Sequence, residues 1–173
     1  MTRVCLDTVI TSDRVLKDLS IPEERLAAEE IARLGREGLI KIVTTEVSRI
    51  EEKRTPDLQK RAALEAGWNE VSVVQPDPVL IGVNTVDYGY RGFTSSPLIS
   101  DIDQTLLARL RAVGLAKLDA RAVVFAVTTK CDYFVTHDTK DLLPHTLAIE
   151  AICPQIRLVK PTEFLMDWQA RSY

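Results

Sequence analysis

The stretch from Lys117 to Leu143, KLDARAVVFAVTTKCDYFVTHDTKDLL, constrains the fold more than any other part of the chain. Ala122, Val123, Val124, Ala126 and Val127 recur at steps that include i+3 and i+4, which predicts a helix with one broad buried face. Asp119 opens this run and precedes Val123 by one helical turn, so its carboxylate is set above that same face. Tyr133, Phe134 and Val135 then read as a short buried strand. It ends in Thr136, His137 and Asp138, with Asp141 one helical turn beyond. In an open α/β sheet, ligands bind beyond the carboxyl ends of the strands, so a helix-start acid and a strand-tip acid both point to that crevice. Each acid alone has a plainer reading, since Asp is a favoured N-cap and Thr-His-Asp is ordinary turn chemistry. The pair gains meaning only if other segments supply matching acids.

Earlier segments do supply them. Val4, Cys5 and Leu6 make a strand that Asp7 and Thr8 end, which sets a third carboxylate at a strand tip. A helix is expected from Pro22 to Arg36, capped by Ser20, with Leu26, Ile31 and Leu34 as its apolar positions and Gly35 and Gly38 as its stop. Leu39 to Val43 is the second strand, and Thr44 and Thr45 lead into another helix. There Val47, Ile50 and Glu51 share a face that runs on toward Arg54 and Leu58. An acid on an apolar face is informative, because burying an unpaired carboxylate is costly. Glu46 and Glu52 compete with Glu51, the first favouring the helix dipole and the second solvated. Arg49, Lys53, Arg54, Lys60 and Arg61 on the same predicted helix form a basic run, most simply a solvated face.

Val71 to Val74 is a third strand. Residues 75–100 read as an irregular insertion or lid in which Tyr88, Tyr90, Arg91 and Phe93 cluster, a packed hairpin or lid in preference to a base-stacking platform or a partner-binding surface. Ser100 and Asp101 are expected to cap a helix from Ile102 to Val113, stopped by Gly114. A strand over Ile156 to Val159 and a helix from Pro161 carrying Phe164, Leu165 and Trp168 complete the chain. Strand and helix alternate without repeats, so residues 1–173 read as a single α/β domain. Its expected architecture is three-layer α/β/α, with a mainly parallel central sheet.

Composition narrows the function classes. The net charge of −3 excludes a generic polyanion binder, so nucleic acid would need local basic patches or bound cations. No apolar run approaches a membrane span, and the N-terminus lacks the pattern of a signal peptide, so a cytoplasmic location is expected. Cys5, Cys131 and Cys153 fit reduced core thiols, and two histidines cannot make a His-rich metal site.

If the sheet is doubly wound, Asp7, Glu51, Asp119 and Asp138 can meet in one crevice. Two carboxylates about 5 Å apart repel by roughly 3 kcal/mol at an intermediate dielectric. Four cannot all stay ionised without a counter-charge. All-oxygen donors select Mg²⁺ or Mn²⁺, which can activate water and stabilise the leaving oxygen of a phosphoryl displacement.

The segments VCLDT, TTEVSRIEE, LDARAVVFAVT and YFVTHDTKDL, taken in this order, resemble a PIN domain, the compact metal-dependent ribonuclease fold related in architecture to flap endonucleases. The resemblance covers nearly the whole chain. It implies that Asp7, Asp119 and Asp138 hold metal and that Glu51, favoured over Glu46, completes the site. Thr8 and Thr136 match the family's Ser/Thr beside these acids. The implied activity is endonucleolytic hydrolysis of RNA that leaves a 3′-hydroxyl and a 5′-phosphate. Many stand-alone PIN domains are toxins of bacterial VapBC-type toxin–antitoxin pairs, usually dimeric and inhibited by a small antitoxin. The long first helix and residues 75–100 depart from a minimal PIN domain. Two rivals remain: a haloacid-dehalogenase-type phosphatase, which wants a second Asp where Val9 stands, and a non-catalytic PIN-like module that binds RNA or protein.

Overall fold

The computed structural model describes residues 1–16, 21–44, 55–69, 73–74 and 103–171. Five parallel strands make one sheet: β1 (Arg3–Leu6), β2 (Lys41–Thr44), β3 (Val73–Val74), β4 (Tyr133–Val135) and β5 (Arg157–Val159), in the order β3-β2-β1-β4-β5. The register sets Leu6 opposite Thr44 on one side and opposite Val135 on the other.

Neighbouring residues of each strand enter different cores. Val4, Leu6, Ile42, Tyr133, Val135 and Val159 pack with α1 (Thr8–Leu16), α2 (Pro22–Arg36) and α7 (Pro161–Arg171). Cys5, Val43, Phe134 and Leu158 pack with α4 (Gln104–Ala112), α5 (Lys117–Thr128) and α6 (Thr146–Ile152). Successive side chains of a strand point to opposite faces, so the sheet is covered on both sides. That is why its strands read as unbroken apolar runs rather than as alternating ones. The architecture is therefore three-layer α/β/α around a parallel sheet. Among the described residues, no helix is long and apolar enough to cross a membrane.

Several local expectations are corrected. Thr8 does not end an extended segment: it begins α1, which was not anticipated because Thr8, Val9, Ile10 and Thr11 are β-branched and poor helix formers. Leu26 is 67% exposed, whereas Ala27, Ala28, Ile31 and Leu34 carry the buried face of α2. Ile21 occupies the N-cap position of α2, without a side-chain cap bond. Residues 55–57 are not helical, so the helix expected to run through Lys60 and Arg61 does not pass Pro56, which has no N–H to donate. The helix α3 (Leu58–Asn69) starts just after it, with the Asp57 carboxylate accepting the N–H groups of Gln59 and Lys60 at 2.9 and 3.1 Å. Asp103, rather than Ser100 or Asp101, caps α4 by accepting the Leu106 N–H at 2.8 Å. Gly38 and Gly114 take positive φ angles of 71° and 104° at the turns after α2 and α4, a conformation that favours glycine. The predicted insertion at residues 75–100, Ser20, and the helix segment with Glu46 and Glu51 lie outside the described residues.

Candidate active site

The strand order fixes where a ligand would enter. From β1 the chain steps outward through β2 to β3, then returns to the other side of β1 as β4. The sheet thus reverses its winding between β1 and β4, and the crevice beyond their carboxyl ends is the expected binding point. Asp7 follows β1 and Thr136 follows β4, so both flank that crevice.

Main-chain and side-chain bonds lock these two tips together. The Asp7 N–H donates to the Val135 carbonyl at 3.0 Å, extending the β1–β4 ladder by one bond. Asp7 Oδ1 accepts the Thr8 N–H at 2.7 Å at the start of α1. Asp7 Oδ2 accepts the hydroxyl of the fully buried Thr136 at 2.7 Å. The same hydroxyl oxygen accepts the Asp138 N–H at 3.0 Å. One buried hydroxyl therefore links the Asp7 carboxylate to the main-chain N–H of Asp138, the other strand-tip acid expected from the sequence. Asp138 in turn holds its own turn, since its Oδ1 accepts the N–H groups of Lys140 and Asp141 at 2.8 and 3.0 Å.

Asp119 comes from the other layer. It lies in the first turn of α5 and is not the cap, because Ala116 occupies the N-cap position and the helix begins at Lys117. A four-residue turn, 129–132, carries the chain from the end of α5 into β4. The helix must therefore run antiparallel to the strand, which brings its N-terminus and the half-buried Asp119 to the carboxyl edge of the sheet. Asp7, Asp119 and Asp138 thus share an edge. The structure joins Asp7 to Asp138 through Thr136. Among the described residues, no group of three or more His, Cys, Asp or Glu side chains is gathered as a metal site would need. Asp141 is exposed and contributes its main-chain N–H rather than its carboxylate. Thr8 likewise contributes an N–H to Asp7.

Behind the tips lies a polar group that sequence reasoning missed. His137 Nε2 lies in contact with Asp13 Oδ2, the side chains being 17% and 13% exposed. Burial pushes the His137 imidazole below its ordinary pKa, with the Glu24 and Asp138 carboxylates pulling the other way. Glu24, itself buried, accepts the Thr162 hydroxyl at 2.8 Å and the Thr162 N–H at 3.1 Å, so α2 satisfies the N-terminus of α7. Arg14 is buried and donates to the Gly67 carbonyl at 2.6 Å, tying α1 to α3. The thiols are free and buried as expected, and burial together with a hydrogen bond to Cys131 raises the Cys5 pKa well above its ordinary value.

No protein-family model matches the chain, and no curated protein matches it in sequence. A solved structure does match in shape. It is a chain from the crystal structure of VapBC2 from Rickettsia felis bound to a DNA fragment from their promoter. The TM-score is 0.54 at 11% identity, over 92% of this chain and 98% of that one. The fold is PIN-like. The described strands, helices and switch point therefore belong to the architecture that the four quoted segments resemble.

Proposed function

We propose that this chain is a Mg²⁺- or Mn²⁺-dependent endoribonuclease, the toxin of a two-protein toxin–antitoxin pair. The observation that supports it best is the Asp7–Thr136–Asp138 link at the reversal point of the sheet, with Asp119 in the first turn of the helix that begins at the same edge. Asp7 and Asp138 leave the sheet at a ligand-binding edge to which α5 also leads Asp119, and carboxylate oxygens suit a hard divalent cation. Asp7, Asp119 and Asp138 would hold the cation, with Glu51 completing the set. Bound there, such a cation supplies an activated water and charge neutralisation at the scissile phosphate. Thr136 does the chain's own part of the work by aiming the Asp7 carboxylate, while the capped turn of Asp138 fixes the second acid. The products would be a 3′-hydroxyl and a 5′-phosphate.

VapBC2 in the matching structure is bound to promoter DNA. That supports a small DNA-binding antitoxin as this chain's partner, and a homodimeric toxin in the cytoplasm is the corresponding assembly. The test is cleavage of an RNA oligonucleotide by purified protein with Mn²⁺, with and without chelator. Asp119→Asn is expected to lower the rate at least about 100-fold, since even groups behind a metal's ligands typically cost 10- to 100-fold. Equal cleavage by both proteins would overturn the assignment. Release of inorganic phosphate from a small phosphomonoester would point instead to a phosphatase. Absence of turnover and of any Mn²⁺ effect on melting would point to a binding module.

A further inference from the structure

We propose that Asp13 and His137 are a positioning pair for this site, holding the strand tip that presents Asp138 and the Thr136 hydroxyl. The inference rests on the nuclease reading for its catalytic consequence and on the observed contacts for its structural one.

The contacts close a ring. From Asp7 the chain enters α1, and less than two turns later Asp13 meets His137. His137 is bonded to Thr136 along the chain, and the Thr136 hydroxyl returns to Asp7. Two strand tips are thus tied by a helix, a histidine–carboxylate contact and a hydrogen bond, in addition to the ladder bond from Asp7 to Val135. His137 is the residue between the two groups that matter, Thr136 on one side and Asp138 on the other. His137 Nε2 lies against Asp13 Oδ2, and this approach is the polar contact that closes the ring. Burying an imidazole and a carboxylate in one layer of an α/β domain is costly unless their geometry is well satisfied. What the pair supplies is the direction in which residues 136–138 leave the sheet, and catalytic groups misplaced by about 1 Å can lose about 100-fold in rate.

The experiment compares wild type, Asp13→Ala, His137→Ala, His137→Gln and the double alanine variant, using RNA cleavage with Mn²⁺ well below each melting temperature. Amide hydrogen exchange is measured on the same proteins. Each alanine variant is expected to lose about 10- to 100-fold in kcat with KM little changed, as is usual for groups that orient metal ligands. The double variant should be no worse than either single one, since both remove the same link. His137→Gln carries an amide N–H close to where Nε2 stood and should recover most of the rate. The N–H groups of Asp138, Lys140 and Asp141 should exchange faster in the alanine variants. If Asp13→Ala does not fold, Asp13→Leu, which fills the same space without an acceptor, takes its place. Wild-type kcat in the folded alanine variants, with unchanged exchange, would overturn the proposal even if their melting temperatures fell. If wild type itself cleaves no RNA, the nuclease reading fails separately. Exchange at those three amides then decides the pair: faster exchange upholds it, and unchanged exchange overturns it.

Discussion

The two helical layers do different work on the same sheet. The layer of α4, α5 and α6 meets it with Leu106, Leu110, Val123, Phe125, Ile149 and similar groups, and its buried face is apolar almost throughout. The layer of α1, α2 and α7 buries Ile10, Ile31 and Phe164, and beside them Thr11, Asp13, Arg14 and Glu24. Apolar burial is strong but non-directional, so it holds a layer down without fixing one group relative to another. Hydrogen bonds and ion pairs have direction, and leaving one partner buried alone is expensive. The first layer therefore supplies most of the adhesion, while the second braces the strand tips from which Asp7 and Asp138 emerge. A candidate site at the seam takes Asp119 from the adhesive layer and its bracing from the polar one.

The largest expected stability effect tests the adhesive side. Phe134 is fully buried in the centre of β4, between Cys5 and Leu158 in the register. Phe134→Ala should cost about 3–5 kcal/mol by removing transfer energy and leaving a cavity. Urea unfolding followed by tryptophan fluorescence measures it. A loss below about 1 kcal/mol would mean that the layer can collapse into the space and is not packed as tightly as apolar interiors usually are.

A smaller effect is expected on the bracing side. Glu24→Ala leaves the Thr162 N–H and hydroxyl without their acceptors and should cost about 1–2 kcal/mol, the range typical of a lost helix-capping group. Glu24→Gln keeps one acceptor oxygen and should recover part of this. The comparison between layers would lose its basis if Glu24→Ala matched Phe134→Ala in cost, because adhesion and bracing would then not be separable by side-chain type.

The same division explains what could be read in advance. β4 was legible with its bounds, Tyr133–Val135, because three consecutive β-prone residues end in a turn at Thr136. The core of α5 was legible from its apolar spacing, and the strand-tip positions of Asp7 and Asp138 followed from the sheet rule. The polar layer was mostly hidden. α1 has a β-branched start whose helical state is decided by tertiary packing of Ile10 rather than by propensity. Asp13 and Glu24 look like solvated acids in sequence, since their partners, His137 and Thr162, lie far along the chain. A carboxylate's burial depends on where its partner is, and periodicity carries no information about that. Pro56 is a visible signal, and its consequence is a helix that starts at Leu58 under the Asp57 carboxylate rather than a continuous face.

The smallest effect decides which way α2 faces. The spacing of Leu26, Ile31 and Leu34 made Leu26 a core position, yet the buried set on this helix is Glu24, Ala27, Ala28, Ile31, Ala32, Leu34 and Gly35. These residues follow i+3 and i+4 steps, and Leu26 falls about 100° away from Ala27 around the helix axis. At 67% exposed it gives up little surface on folding. Leu26→Gln should therefore change stability by no more than about 0.5 kcal/mol, the usual range for a surface substitution. Ile31→Ala on the opposite face should cost about 2–5 kcal/mol. A cost above about 1 kcal/mol for Leu26→Gln, measured in the same urea series, would mean that α2 is turned toward the sheet by a different face. Glu24 would then move away from Thr162, and the bracing of α7 from α2 would have to be reassigned.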